Sequence, residues 1–178
     1  MRAPAALAAA VLAMAPATGA LTADGWFDHP FGEARAYHGD WLAVCPSAEG
    51  SACRVVRMNP TTDPGAAWEA RLAAERAGAG WRVELATADL VVDGLDGLAF
   101  AIDGETVAVP REAWTQDGAN GLVVADPALA TALVERMKAG NRLTVSSGPG
   151  VERASFPLRG VTAAIRAIGR RAAREGTR

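Results

Sequence analysis

Cysteine occurs only twice in this 178-residue chain, at Cys45 and Cys53, and lysine once, at Lys138. The two cysteines do not form a Cys-x-x-Cys pair, which disfavours thiol oxidoreductase chemistry. With His29 and His38, the chain's two histidines, they fit no standard zinc-ligand spacing. Those histidines read as solvated or structural loop residues, with no nucleophile nearby for them to activate. There is no Gly-x-Ser-x-Gly, no His-Glu-x-x-His and no phosphate loop. Asp93 and Asp96 lack the ligand density of a calcium site. Ser146-Ser147-Gly148-Pro149-Gly150 reads as a hairpin turn rather than a nucleophile loop. Beyond the first twenty residues no apolar run is long enough to span a bilayer. No cofactor is called for, and an enzyme would need a site assembled from distant residues.

Aromatic residues make up only 6% of the chain, but they are large and widely spaced. Trp41, Trp68, Trp81, Trp114, Phe100 and Phe156 suit one packed domain. The start is different in kind. Met1-Arg2 is basic, Ala5 to Ala15 is apolar, and Ala17-Thr18-Gly19-Ala20 is small. That is the pattern of a secretory signal peptide over residues 1–20, cleaved near Ala20. It predicts a mature protein that starts near Leu21 and works in the periplasm or outside the cell. In such a place two cysteines are expected to pair. Cys45 closes the run Trp41-Leu42-Ala43-Val44 and Cys53 opens Arg54-Val55-Val56-Arg57-Met58. A hairpin clipped by one disulfide follows, its short loop worth about 2.5 kcal/mol through lost chain entropy.

Downstream, strand signals recur. Trp68 to Arg76 contains good helix formers, yet apolar residues alternate with charged ones, which argues a strand. Gly78-Ala79-Gly80 turns it into Trp81-Arg82-Val83-Glu84-Leu85, a second hairpin. Leu98 to Ile102 and Thr106 to Val109 flank the tight turn Asp103-Gly104. Leu122-Val123-Val124, Asn141 to Ser146 and Val151 to Leu158 are further short strands. Asp126 and Pro127 open a helix carrying Leu129, Leu133 and Met137 on one face, which Gly140 ends. A last helix begins near Gly160, buries Val161, Ala164, Ile165 and Ile168, and presents arginines on another face. The fold expected is mainly β, a sandwich of immunoglobulin-like architecture with two short helices. Its organisation is a lead-in over 21–40, in which Trp26, Phe27 and Phe31 staple the segment to the core, the sandwich over 41–168, and a basic tail over 169–178.

Charge is unevenly placed. The chain carries a formal net charge of −2, yet residues 159–178 hold six arginines and a single acid, Glu175. The plain reading of these arginines is a solvated helix face that complements the helix dipole. The sharper reading is contact with phosphate-bearing envelope lipid or an acidic partner through Arg166, Arg170, Arg171 and Arg174. Nucleic acid fits poorly with an exported protein of acidic body.

Several segments, taken in order, carry a resemblance. They are Gly39-Asp40-Trp41, the Cys45/Cys53 pair, Ile102-Asp103-Gly104, Met137-Lys138-Ala139-Gly140, and Phe156-Pro157-Leu158-Arg159-Gly160 followed by Ala163-Ala164. Together they resemble the invasion-associated locus B family of exported Gram-negative bacterial proteins over nearly the whole mature chain. Val161 stands where the family usually has an aromatic, and the second cysteine pair of many members, around Trp114 to Gly121, is missing. A second family of periplasmic proteins shares the Asp-Trp…Cys…Cys opening. The resemblance implies a β-sandwich in the periplasm or outer envelope, and no catalytic residues. The function expected is a non-catalytic envelope interaction module. An enzyme of unrecognised type and an envelope assembly or stress-protective factor are the alternatives.

Overall fold

A computed structural model describes residues 24–47, 52–61, 69–90, 95–147 and 151–175. The leader, Trp68, Asp93 and the Gly148-Pro149-Gly150 turn lie outside the described residues. The protein is mainly β, with two antiparallel sheets and two helices.

The larger sheet is built from β1 (Phe27–His29), β2 (Glu33–His38), β3 (Trp41–Pro46), β4 (Arg54–Asn59), β5 (Ala70–Ala77) and β6 (Gly80–Thr87), each paired to the next. The chain then builds β7 (Gly97–Ile102) and β8 (Glu105–Pro110), the start of the second sheet. It returns through a 3₁₀ turn to β9 (Trp114–Gln116) and β10 (Gly121–Val124), which extend the larger sheet in the order β6-β10-β9. Helix α1 (Pro127–Ala139) leads to β11 (Arg142–Ser146) and β12 (Glu152–Pro157), and the smaller sheet runs β12-β11-β7-β8. Helix α2 (Val161–Glu175) follows.

Alternation decides the faces. On β3, Trp41, Ala43 and Cys45 point inward; on β5, Ala70, Leu72 and Ala74 do so; on β6, Trp81, Val83 and Leu85. They meet Leu98, Phe100 and Ile102 of β7, Leu143 and Val145 of β11, and Phe156 of β12 in one continuous core. A sheet that sets every second residue into a shared core can be good helix former by composition, because burial outweighs the small differences in intrinsic propensity. β5 is the case in point.

The helices close the same core. The Asp126 carboxylate accepts hydrogen bonds from the backbone N–H groups of Ala128 and Leu129, at 2.8 and 2.9 Å, so α1 starts where the sequence predicts. Ala130, Leu133, Val134 and Met137 are its buried residues. On α2 the buried face is Val161, Ala164, Ala167 and Ile168, with Ile165 partly covered, laid against β2, β3 and β4.

Two boundaries shift. Residues 27–38, read from sequence as a lead-in, are strands β1 and β2 of the larger sheet, so both histidines sit in strands rather than loops. Ala34 and Ala36 are buried there; alanine is too small to announce a core face by hydrophobicity. The staple is real for Trp26, which is buried, whereas Phe31 is exposed. At the other end α2 runs unbroken through 168 to 175, so most of the basic tail is helix. Helix packing continues past Ile168 because Arg171 lies over the Trp26 ring.

Candidate interaction surface

Cys45 and Cys53 form a disulfide with Cα atoms 4.3 Å apart, joining the end of β3 to the start of β4. Both are buried. The bond is therefore a clip inside the larger sheet and not a reactive centre. Among the described residues no group of three histidine, cysteine or acidic side chains is placed to hold a metal.

Apart from the Cys45/Cys53 pair, which lies at the far end of β3, the segments that carry the resemblance converge at one end of the molecule. Gly39 and Gly160 face each other backbone to backbone. A Cβ on Gly39 would lie 2.7 Å from the Arg159 carbonyl oxygen, and one on Gly160 would overlap the His38 carbonyl; both glycines have positive φ, +60° and +97°. The Asp40 N–H donates to the Arg159 carbonyl at 3.0 Å. The Arg159 guanidinium donates to both Asp40 carboxylate oxygens, each at 3.0 Å. Trp41 Nε1 donates to the Pro157 carbonyl at 2.9 Å. Beside it, the Asp103 carboxylate accepts from the backbone N–H groups of Asn141 and Arg142, at 2.9 and 3.0 Å. These residues tie the β2–β3 turn, the β7–β8 turn and the ends of both helices into one junction. Their chemistry is structural.

The electrostatics of this junction follow from its partners. The hydrogen bonds from Arg159 hold the Asp40 carboxyl below its ordinary pKa, and those from the Asn141 and Arg142 backbone do the same for Asp103. Burial, with the Arg170 charge adding to it, pushes the His38 imidazole down.

The four arginines expected to meet an anionic partner share α2 but not one environment. Arg166 and Arg170 are exposed, one turn apart, and have no acidic partner among the described residues. Arg171 is half-buried, its guanidinium 4.9 Å from the centre of the Trp26 ring. Arg174 pairs with Asp24. The helix therefore offers an open pair of cations near its middle and an engaged pair near its C-terminus. Its other exposed residues between 161 and 174 are Ala163, Gly169, Ala172 and Ala173. No acid lies in that span. No family model matches the chain, and neither a curated protein nor a solved structure does.

Sequence reasoning had no means to see what engages Arg171 and Arg174, because Asp24 and Trp26 lie about 150 residues away. Two open clefts are also found among the described residues. One, of about 380 Å³, is bounded by Asn59, Glu69, Glu152, Arg153 and Ser155. The other, of about 220 Å³, lies between Asp103, Glu105 and Arg136. In the first, Arg153 is already committed to Asp89 and Ser147; in the second, Arg136 is paired with Glu105. Among the described residues, neither brings an acid, a base and a nucleophile into hydrogen-bond reach of one another. Among the described residues no helix is long and apolar enough to cross a membrane.

Proposed function

We propose that this chain is an exported, non-catalytic envelope interaction protein, similar in motif order to the invasion-associated locus B family, that docks on anionic lipid headgroups through α2. One observation carries the reading: Arg166 and Arg170 stand exposed and unpaired among the described residues, on a helix whose ionisable residues from 161 to 174 are all arginine. A guanidinium offers phosphate a planar fork of donors, and two of them one helical turn apart can engage neighbouring headgroups. Alanine and glycine fill the rest of the exposed face of α2, so between 161 and 173 no bulky exposed side chain of the helix itself stands beside the two arginines. They also provide no apolar wedge, and attachment of this kind is electrostatic and reversible.

The export part of the reading is supported by the basic, apolar and small-residue leader and by the Cys45–Cys53 bond, which persists in oxidising compartments. Vesicle co-sedimentation tests the docking part. The protein is expected to bind vesicles containing phosphatidylglycerol and to leave them as salt rises, since charges beyond a Debye length are screened. Arg166→Ala with Arg170→Ala should weaken binding about thirtyfold, at about 1 kcal/mol per surface cation. Equal binding by the double variant would refute the role of α2. Substitution is a cleaner test than truncation after Ile168, which would also strip Arg171 from Trp26.

A further inference from the structure

The C-terminal half of the arginine face is closed by a segment from the other end of the protein. Asp24 pairs with Arg174, and Trp26 lies under Arg171. Trp26 is buried in the main core, directly ahead of β1, so it fixes the segment in place. Gly25 joins the two with φ of +77° and open space around it. Asp24 is thus held beside Arg174 by a buried neighbour, at the high local concentration that a two-residue tether gives.

The pair itself is exposed: 68% of the Arg174 side chain and 49% of the Asp24 side chain are open to solvent. An ion pair of that exposure contributes little and exchanges readily with another anion. An anionic bilayer raises the concentration of competing phosphate at the helix well above what one carboxylate supplies.

We propose that Asp24 is a built-in counter-ion that competes with lipid phosphate for Arg174, dividing the α2 face into an open half, Arg166 and Arg170, and a guarded half. This deepens the reading of α2 as the docking face and rests on it. The guard sets the strength of attachment: two cations make the first contact, and a third is released only where headgroup charge is dense enough to displace the carboxylate. The protein therefore discriminates between surfaces by charge density rather than by headgroup identity.

Co-sedimentation with vesicles of graded phosphatidylglycerol content, at low and at physiological ionic strength, tests this with the protein as exported. Asp24→Asn is expected to bind about fivefold more tightly at low phosphatidylglycerol content, the effect of one added surface cation. The advantage should shrink as the anionic fraction rises. In an Arg174→Ala background Asp24→Asn should change nothing, which separates the pair from a general change in net charge. Inorganic phosphate at equal ionic strength should compete if the headgroup phosphate is what is recognised. Equal affinity of Asp24→Asn and the wild type, with binding still lost on Arg166→Ala and Arg170→Ala, would overturn the guard while leaving the docking face standing. A gain that survives without Arg174 would overturn it too. If neither the wild type nor Asp24→Asn binds any vesicle, both readings fall.

Discussion

At Gly160 the chain meets itself. A side chain there would run into the His38 carbonyl, and φ of +97° is a conformation that other residues adopt only under strain. Gly160→Ala should therefore cost on the order of 3 kcal/mol or more in urea unfolding, the range in which backbone clash and dihedral strain add. Gly118 is the matched control, since it too has positive φ, +73°, but nothing stands within 4 Å of its missing Cβ. Gly118→Ala should cost only about 1 kcal/mol, the conformational part alone. Equal costs at the two positions would mean that the crossing of Gly39 and Gly160 is not tight in solution. The resemblance drew attention to both of these glycines from the sequence, but not to the fact that they touch. Two glycines 121 positions apart carry no local signal of their meeting.

His38 reports on the same neighbourhood. Its folded-state pKa lies below the ordinary value of 6.5 because of burial first and the Arg170 charge second. The fold therefore prefers the neutral ring. Stability from this group is undiminished above about pH 6.5 and declines as pH falls toward the folded-state value. Arg170→Ala should raise the His38 pKa, read by the chemical shifts of the imidazole, and should do so even where vesicle binding is not being measured. An unchanged titration would separate Arg170 from His38.

The elements divide into those that announce themselves and those that do not. Helix α1 was readable because an Asp-Pro start and a spaced apolar face coincide. β5 was readable because alternation of charged and apolar residues outweighs a composition of helix formers. β1 and β2 were not, since three residues and an alanine-lined face leave little hydrophobic contrast. β9 is also three residues long, and only its pairing with β10 makes it a strand. The hairpin of β3 and β4 was legible from its cysteines, and its clip yields a direct expectation. Cys45→Ser with Cys53→Ser should lower stability by about 2.5 kcal/mol, the loop-closure entropy of so short a ring. The check is the urea midpoint of the variant against the intact protein. An unchanged midpoint would mean that the ladder between β3 and β4 holds the hairpin unaided in the denatured ensemble as well as in the native state.

For the whole molecule, the acidic limb of stability is the shared signature of its polar ties. Asp40 and Asp103, whose ordinary value is 3.8, are both held lower by hydrogen bonds to their charged forms. Burial pushes Glu33 up, but hydrogen bonds and charge from Arg35 and Arg54 outweigh it, and its net shift is also downward. A carboxyl with a depressed folded-state pKa stabilises the fold fully above its unfolded value and loses that contribution as pH drops through the folded one. Melting temperature should thus fall below about pH 4, after a shallower decline that His38 begins near 6.5. Asp103→Asn and Asp40→Asn should each flatten the steeper limb; if neither does, the junction is not what acid breaks. The overall class was legible, since short alternating runs parted by turns leave few alternatives to stacked sheets. Which strands lie side by side was not, because the excursion through β7 and β8 before β10 rejoins β6 is decided by long-range packing.

The crossing of Gly39 with Gly160 also fixes when the protein can finish folding. The first hairpins need only near neighbours and can pair early, yet the turn between β2 and β3 receives its partner from the end of β12 and the start of α2. A nascent polypeptide carries that unmet turn until Arg159 and Gly160, about 120 positions further on, have been synthesised, so the closing of this junction is a late, long-range step of folding.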